Sequence, residues 1–248
     1  MFNASHKYSL SFVSDKLRFV ISIMLLKVAL YFCNIKLYKF VELIIAIMSR
    51  SFKEALEHRR SYYHITNSSP IPDEELRGIL EFGLQHVPSA FNSQSTRIVL
   101  LLGENHKKLW MITKEILRQR VASADAFART EAKIDTSFAA GYGTVLFFEN
   151  MAVVKKLQAS FPTYKDRFPV WAQQTSAMHQ QAIWSMLEDV GFGASLQHYN
   201  PLIDKKVEEE WGINPDWELI AQMPFGVPLQ LPENKADSSL EDKLIVFD

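Results

Sequence analysis

A layered domain of the α+β or α/β class is predicted from three observations. Stretches with helical spacing of apolar residues alternate with short apolar runs of strand length. The chain has 248 residues, 48% of them apolar and 22% charged, which suffices for one domain of about 200 residues with a real core. It holds one cysteine, Cys33, so a disulfide framework, a thiolate zinc site, an iron–sulfur cluster and a cysteine nucleophile are excluded beyond that position.

The elements follow in order. Ser51-Phe-Lys-Glu54 is an S-x-x-E capping box with Phe52, Ala55 and Leu56 on one face, so a helix runs from about 51 to 60. Ser-Ser-Pro-Ile-Pro at 68–72 is a turn that opens a helix over 73–86, carried by Leu76, Ile79, Leu80 and Leu84. Residues 87–94 are polar and broken, a loop. RIVLLL at 97–102 reads as a buried strand, and Leu109, Ile112, Ile116 and Leu117 mark a helix over 104–121. Residues 122–142 show no regular pattern. TVLFF at 144–148 is a second buried strand. A short helix covers 153–161, a Pro- and aromatic-rich loop follows, and a long helix over 171–190 stops at Gly191-Phe-Gly193. Residues 194–199 are extended, 205–211 helical and 218–223 a strand. Pro224-Phe-Gly-Val-Pro228 reads as a turn, and KLIVF at 243–247 as a last strand.

Residues 1–47 stand apart from the domain over 48–248. They carry six cations against two carboxylates, a net +4, whereas the whole chain is at −1, so the remainder is near −5. Such a body suits no polyanion partner and excludes nucleic acid, since phosphate neutralisation needs clustered cations. Residues 19–33 and 40–48 are strongly apolar, but Lys27 and the intervening NIKLYK interrupt a span of about 20 residues. Three readings stand: a membrane anchor, a targeting peptide, or translation from Met48 with an upstream gene-model extension. The expected location is accordingly cytoplasmic, or membrane-tethered through residues 19–48.

Three polar constellations are candidates for chemistry. His58-Arg59-Arg60-Ser61 closes the first helix; two guanidinium forks and a hydroxyl can clamp a phosphate, although a solvated basic helix end has the same composition. Pro88-Ser89-Ala90-Phe91-Asn92-Ser93-Gln94 can offer amides and hydroxyls to a heteroaromatic ring, or be an ordinary turn. In Gly191-Phe-Gly-Ala-Ser-Leu-Gln-His-Tyr-Asn-Pro201 the glycines let backbone approach a ligand. A helix cap followed by a strand accounts for the glycines but not for His198-Tyr199-Asn200. Gly141-Tyr-Gly143 lacks the third glycine of a dinucleotide fingerprint and precedes a strand. No H-E-x-x-H metal motif and no G-x-S-x-G elbow occur. Trp171, Met178, Trp184 and Met186 read as core or dimer contacts.

In this order the segments H-R-R-S at 58–61, P-S-A-F-N-S-Q at 88–94, G-F-G-A-S-L-Q-H-Y-N-P at 191–201 and P-F-G-V-P-L-Q-L-P-E-N-K at 224–235 resemble the FMN-dependent nitroreductase family over residues 49–248. A-F-N-S-Q with G-A-S-L-Q-H-Y-N-P is similar to a compact bacterial and fungal branch tied to oxidative-stress responses. The resemblance implies an α+β fold with a central, mainly antiparallel sheet flanked by helices. It also implies a homodimer with two FMN sites at the interface and exchange of the C-terminal strand. Arg59, Arg60 and Ser61 match residues that hold the flavin phosphate and ribityl chain, with Lys235 a second phosphate-binding cation. Ser89, Ala90 and Asn92 match a loop offered to the flavin by the partner. Leu196, Gln197 and His198 match a segment whose backbone faces the isoalloxazine and its N5, and Lys133 matches a cation near the pyrimidine edge. The activity implied is FMN-dependent reduction of nitroaromatic, quinone or related small-molecule acceptors by ping-pong hydride transfer. NADH or NADPH is the donor, and the flavin N5 rather than a side chain carries the chemistry. The alternative is a flavin-binding redox sensor with little turnover. One departure stands out: the motif R-R-S-x-R/K ends here on Tyr63. The branch is also short, without the helical insertion that shapes substrate access in larger members.

Overall fold

Strand β3 (Gly143–Asn150) is the centre of the molecule. Seven of its eight residues are buried, and it is hydrogen-bonded along both edges. The structure, a computed structural model, describes residues 51–248 except 121–122, 234–238, 240, 242 and 248. The extension over 1–47, Cys33, Met48 and Lys235 therefore lie outside the described residues.

Around β3 run α1 (Phe52–His58), β1 (Ile65–Thr66), α2 (Asp73–His86), β2 (Thr96–Leu102), α3 (Gly103–Arg118) and α4 (Ala124–Ser137) before it in sequence. After it come α5 (Met151–Ser160), α6 (Phe168–Asp189), β4 (Gly193–Ala194), α7 (Asp204–Trp211) and β5 (Trp217–Pro228). The sheet order is β1-β5-β3-β2, with β4 also on β5, and every one of these pairings is antiparallel. The class is α+β, with helices on both faces of an antiparallel sheet, as the resemblance implies.

Alternation along β3 divides the core. Val145 and Phe147 point to one face, where Leu76 and Leu80 of α2 and Ile183 and Leu187 of α6 cover them. Leu146 and Phe148 point to the other, under Leu109 and Trp110 of α3, Ile134 of α4 and Val207 of α7. Each fully buried Phe or Leu contributes about 1.5–3 kcal/mol relative to exposure. Between Phe147 and Phe148 the register slips: Phe147 faces Ala221 and Phe148 faces Leu219, leaving Ile220 as the bulged residue. α2 and α6 cross closely because Gly83 has no side chain; a Cβ there would stand 2.9 Å from Ile183 Cγ1.

The local signals hold for most elements. Ser51 and Glu54 form the reciprocal capping box of α1. α2 starts after Pro72 and ends at His86, and α6 ends before Gly191, which adopts φ 96°. Three expectations fail. The region 122–142 contains α4, capped by the Ser123 hydroxyl on the Ala126 N–H. Among its described residues only Phe127 and Ile134, with Phe138 just beyond, are buried and apolar, too sparse a pattern to read. Pro224-Phe-Gly-Val-Pro228 is strand, not turn. β5 runs straight through it, with Phe225 opposite Gly143 and Ala194, Gly226 opposite Gly193, and Val227 opposite Thr66. Pro224 gives up one ladder donor, but its carbonyl accepts from the Ser195 N–H at 3.2 Å. Thirdly, Lys243–Phe247 forms no strand with any of the described residues, and Leu244 to Phe247 are all at least 70% exposed. No helix among the described residues is long and apolar enough to cross a membrane.

Two buried features carry predictions. A Cβ on Gly226 would stand 2.0 Å from the Thr66 carbonyl oxygen, so Gly226→Ala forces β1 off β5 and is expected to cost about 3 kcal/mol in urea unfolding. An unchanged midpoint would refute the close approach. His106 is buried on α3, with Nε2 3.3 Å from the Ala139 carbonyl and Nδ1 2.9 Å from the Thr144 hydroxyl. The carbonyl can only accept, so the ring is the neutral Nε2–H tautomer. Burial is the main cause that lowers its pKa from 6.5 to about 4. Its contribution is thus complete above pH 6.5 and is lost as pH falls from there to about 4, by roughly 3 kcal/mol. Urea unfolding at pH 7 and pH 5 checks this, and His106→Asn should flatten the difference.

Candidate functional site

The basic motif leaves α1 in extended backbone and is fastened to the glycine-rich segment. Arg59 caps α1, its N–H donating to the Ala55 carbonyl at 3.0 Å. Ser61 then forms a parallel bridge with Ala194, and the Tyr62 N–H donates to the Ala194 carbonyl at 3.0 Å. The contact needs glycine at 193: a Cβ there would lie 2.7 Å from Cγ of the Tyr62 ring. Two segments 130 residues apart are thereby held in one plane with the end of β5.

The guanidinium groups of this motif are ordered by different partners. Arg59 lies over the Trp184 ring, Cζ 4.3 Å from its centroid. Burial lowers the Arg59 pKa, the Glu188 carboxylate raises it, and the charge of Arg60 lowers it again. Arg60 Nη2 donates to the Glu233 carbonyl, which draws the chain after β5 across the motif. Residues 59–64 and 230–233 enclose a cavity of about 600 Å³, a volume typical of small-molecule and cofactor sites.

Lys133 reaches the same region from α4. Its Nζ lies 5.9 Å from the Tyr63 ring centroid and 5.9 Å from that of Phe138. Phe138 meets Tyr63 on one side and Tyr199 on the other, each at 6.4 Å. A cation from elsewhere in the chain is therefore carried on the aromatic ring that replaces the motif's usual last cation.

The 196–198 segment is held by β5. Gln197 and Gln222 exchange backbone hydrogen bonds at 2.7 and 2.9 Å. The fully buried Gln222 side chain accepts from the Tyr199 N–H at 2.7 Å and donates to Asn200 Oδ1 at 3.3 Å. Leu196 packs on the core, Gln197 Nε2 donates to the Ser195 hydroxyl at 3.1 Å, and His198 is exposed. Gln222 was not among the expected site residues; its one signal is an amide within the apolar run ELIAQM.

Arg59, Arg60 and Ser61 thus line one cavity, Lys133 reaches its Tyr63 edge, and the Ser61–Ala194 bridge joins the motif to the segment that leads into Leu196, Gln197 and His198. Ser89, Ala90 and Asn92 do not join them. Their loop packs Phe91 against Phe168 and Trp171 near the start of α6, whereas Arg59 sits on Trp184 towards its end. Thirteen helical steps separate the two tryptophans, about 20 Å along the axis. Lys235 is outside the described residues.

The chain is similar to known proteins in sequence and in fold. The model of the Nitroreductase family matches residues 56–227. Nitroreductase FRM2 of Saccharomyces cerevisiae is 32% identical over 187 residues, covering 75% of this chain and 92% of FRM2. Solved structures of the nitroreductase CinD of Lactococcus lactis, in complex with chloramphenicol and with 4-nitrophenol, superpose with TM-scores of 0.73 and 0.72. Both are 38% identical and cover 80% of this chain and 100% of CinD.

Gln222→Leu is expected to leave the Tyr199 N–H without its acceptor and to cost about 1–3 kcal/mol. Thermal unfolding reads the loss, and hydrogen exchange at Tyr199 locates it; equal protection in wild type and variant would refute the role.

Proposed function

The chain belongs to the nitroreductase family and is an oxidoreductase of nitroreductase type, and from that premise we propose that it is an FMN-dependent NAD(P)H oxidoreductase acting as a homodimer on small nitroaromatic, quinone or related acceptors. The observation that carries the reading is the cavity walled by Arg59, Arg60 and Ser61 and fastened through Ser61–Ala194 to the 196–198 segment.

The residues present fit FMN. Arg60 and Ser61 are the donors a phosphate takes, a planar fork and a hydroxyl, and Arg59 adds a second cation beside them. The carbonyl bond from Arg60 to Glu233 orients one nitrogen and leaves the rest of the fork facing the cavity chemistry. Lys133 supplies positive charge at the Tyr63 edge, where an electron-rich reduced ring is stabilised electrostatically. The 196–198 backbone, paired through Gln197 to Gln222, supplies an ordered surface for a planar ring. FMN, when bound, supplies the hydride transfer between nicotinamide and acceptor. The acceptor class is supported by CinD, two of whose complexes hold nitroaryl compounds.

Apolar surface supports the dimer. Phe52 and Phe82 are 74% and 55% exposed beside a groove of about 350 Å³ between α1, α2 and α6. Leu244 to Phe247 add an exposed apolar tail with strand propensity and no partner strand among the described residues. Transfer of that tail to a second copy, and donation of the Ser89–Asn92 loop to the partner's cavity, complete the proposed site.

The purified protein should be yellow and release FMN on denaturation. Arg59→Ala with Arg60→Ala removes two charge-assisted contacts and should raise the FMN Kd about 100-fold, read by flavin fluorescence titration. An unchanged Kd would dispose of the phosphate clamp; a colourless wild type that takes up no FMN would dispose of the flavin reading.

A further inference from the structure

The loop carrying Ser89, Ala90 and Asn92 is built on left-handed backbone without glycine. Phe91, Asn92 and Gln94 have φ of 56°, 48° and 48°. Asn visits this region readily, but an aromatic residue does so only where its surroundings over-determine the conformation.

Those surroundings are specific. On the outer side the Phe91 ring meets Phe161 at 5.0 Å, Phe168 at 5.2 Å and Trp171 at 5.8 Å. Within the loop, the Gln94 N–H donates to Ser89 Oγ at 3.0 Å and Gln94 Nε2 donates to Asn92 Oδ1 at 3.2 Å. On the inner side the chain is tied to one buried carboxylate. The Ser95 hydroxyl donates to Glu149 Oε2 at 2.5 Å and the Thr96 hydroxyl to Glu149 Oε1 at 2.6 Å. His179 Nδ1 lies 3.3 Å from the Thr96 hydroxyl and donates to the Thr175 carbonyl at 2.9 Å. Glu149 and Ser95 are fully buried and Thr96 almost so.

A carboxylate at the end of the apolar run TVLFF is costly in that position, where burial raises its pKa. Both its oxygens are engaged by the two residues that directly follow the loop. The loop's internal bonds also have a chemical consequence. The Ser89 and Asn92 oxygens each accept one bond from Gln94, which orients both side chains while the Ser89 hydroxyl hydrogen and the Asn92 amide hydrogens stay available to donate. A pair of donors matches a ring edge rich in carbonyl acceptors, as the flavin pyrimidine edge is.

We propose that Glu149 is a positioning residue for flavin recognition: through the Ser95 and Thr96 hydroxyls it holds the 89–94 loop in the conformation that makes Ser89 and Asn92 a donor pair for the flavin ring. The inference rests on the FMN reading given above. Glu149 touches no ligand itself and acts only through the two hydroxyls.

The test uses the full-length protein with FMN as the probe. Thr96→Val keeps the side-chain shape and removes the donor to Glu149 Oε1. It should raise the FMN Kd about tenfold and speed hydrogen exchange at the Gln94 amide, with far-UV circular dichroism unaltered. Thr96→Ser, which restores the hydroxyl, should recover both. Ser95→Ala should repeat the loss, and Ser95→Ala with Thr96→Val should make Glu149→Gln almost silent against that background. A Kd within twofold of wild type in both single variants, whatever their thermal stability, makes the network merely structural and overturns the proposal. Failure of wild type to take up FMN sinks the flavin reading and this inference with it, whereas a wild type that binds and variants that bind equally sink this inference alone.

Discussion

Strand β3 is hydrogen-bonded along both edges and buried on both faces, and the other elements take their places from it. Because successive side chains point to opposite sides, Val145 and Phe147 organise one core with α2 and α6, while Leu146 and Phe148 organise another with α3, α4 and α7. The bulge between Phe147 and Phe148 steps the β5 register by one residue. Downstream of it, Gln222 stands opposite Leu146 and across from Gln197, where its amide can fix the 197–200 backbone.

The candidate site forms where β5 runs out of β3 and meets other partners. Gly193 and Gly226 are among the positions at which chain approaches chain too closely for a side chain, against Tyr62 and Thr66 respectively. Those approaches bring the exit of α1, the segment after α6 and the segment after β5 into one neighbourhood. Arg59, Arg60 and Ser61 then line a cavity rather than fray into solvent as a basic helix end would. The same motif composition permits either state; the Ser61–Ala194 bridge selects between them.

Polar groups in the sheet interior mark the places where packing yields to positioning. Gln222, Glu149 and Thr144 are each fully buried, and each carries hydrogen bonds to segments far away in sequence. Thr144 accepts from Trp110 Nε1 at 3.0 Å and faces His106, which ties the start of α3 to the sheet. Buried polar groups that meet their partners give a core one arrangement out of many. In this chain two of the three border the segments proposed to face the flavin.

By itself the sequence determined what is local or repeated. The capping box at Ser51 and Glu54, the helices carried by Leu76 and Leu109, the buried strands at 97–102 and 144–148, and the stop at Gly191 all depend on residues within a few positions of one another. The ordered motifs likewise pointed to one family, because their order survives without any knowledge of distance. Tertiary structure decided the rest. α4 is held by Ile134, with Phe138 just beyond its end, and these residues become meaningful only against Trp110 and the sheet. Pro224 and Gly226 lie in strand because β1, β3 and β4 all pair there, overriding local turn preference. Lys133 joins Tyr63 only because Phe138 seats both, and Ser89 parts from Arg60 only because α6 is 22 residues long. These are statements about separation in space, which a pattern confined to neighbours along the chain does not contain.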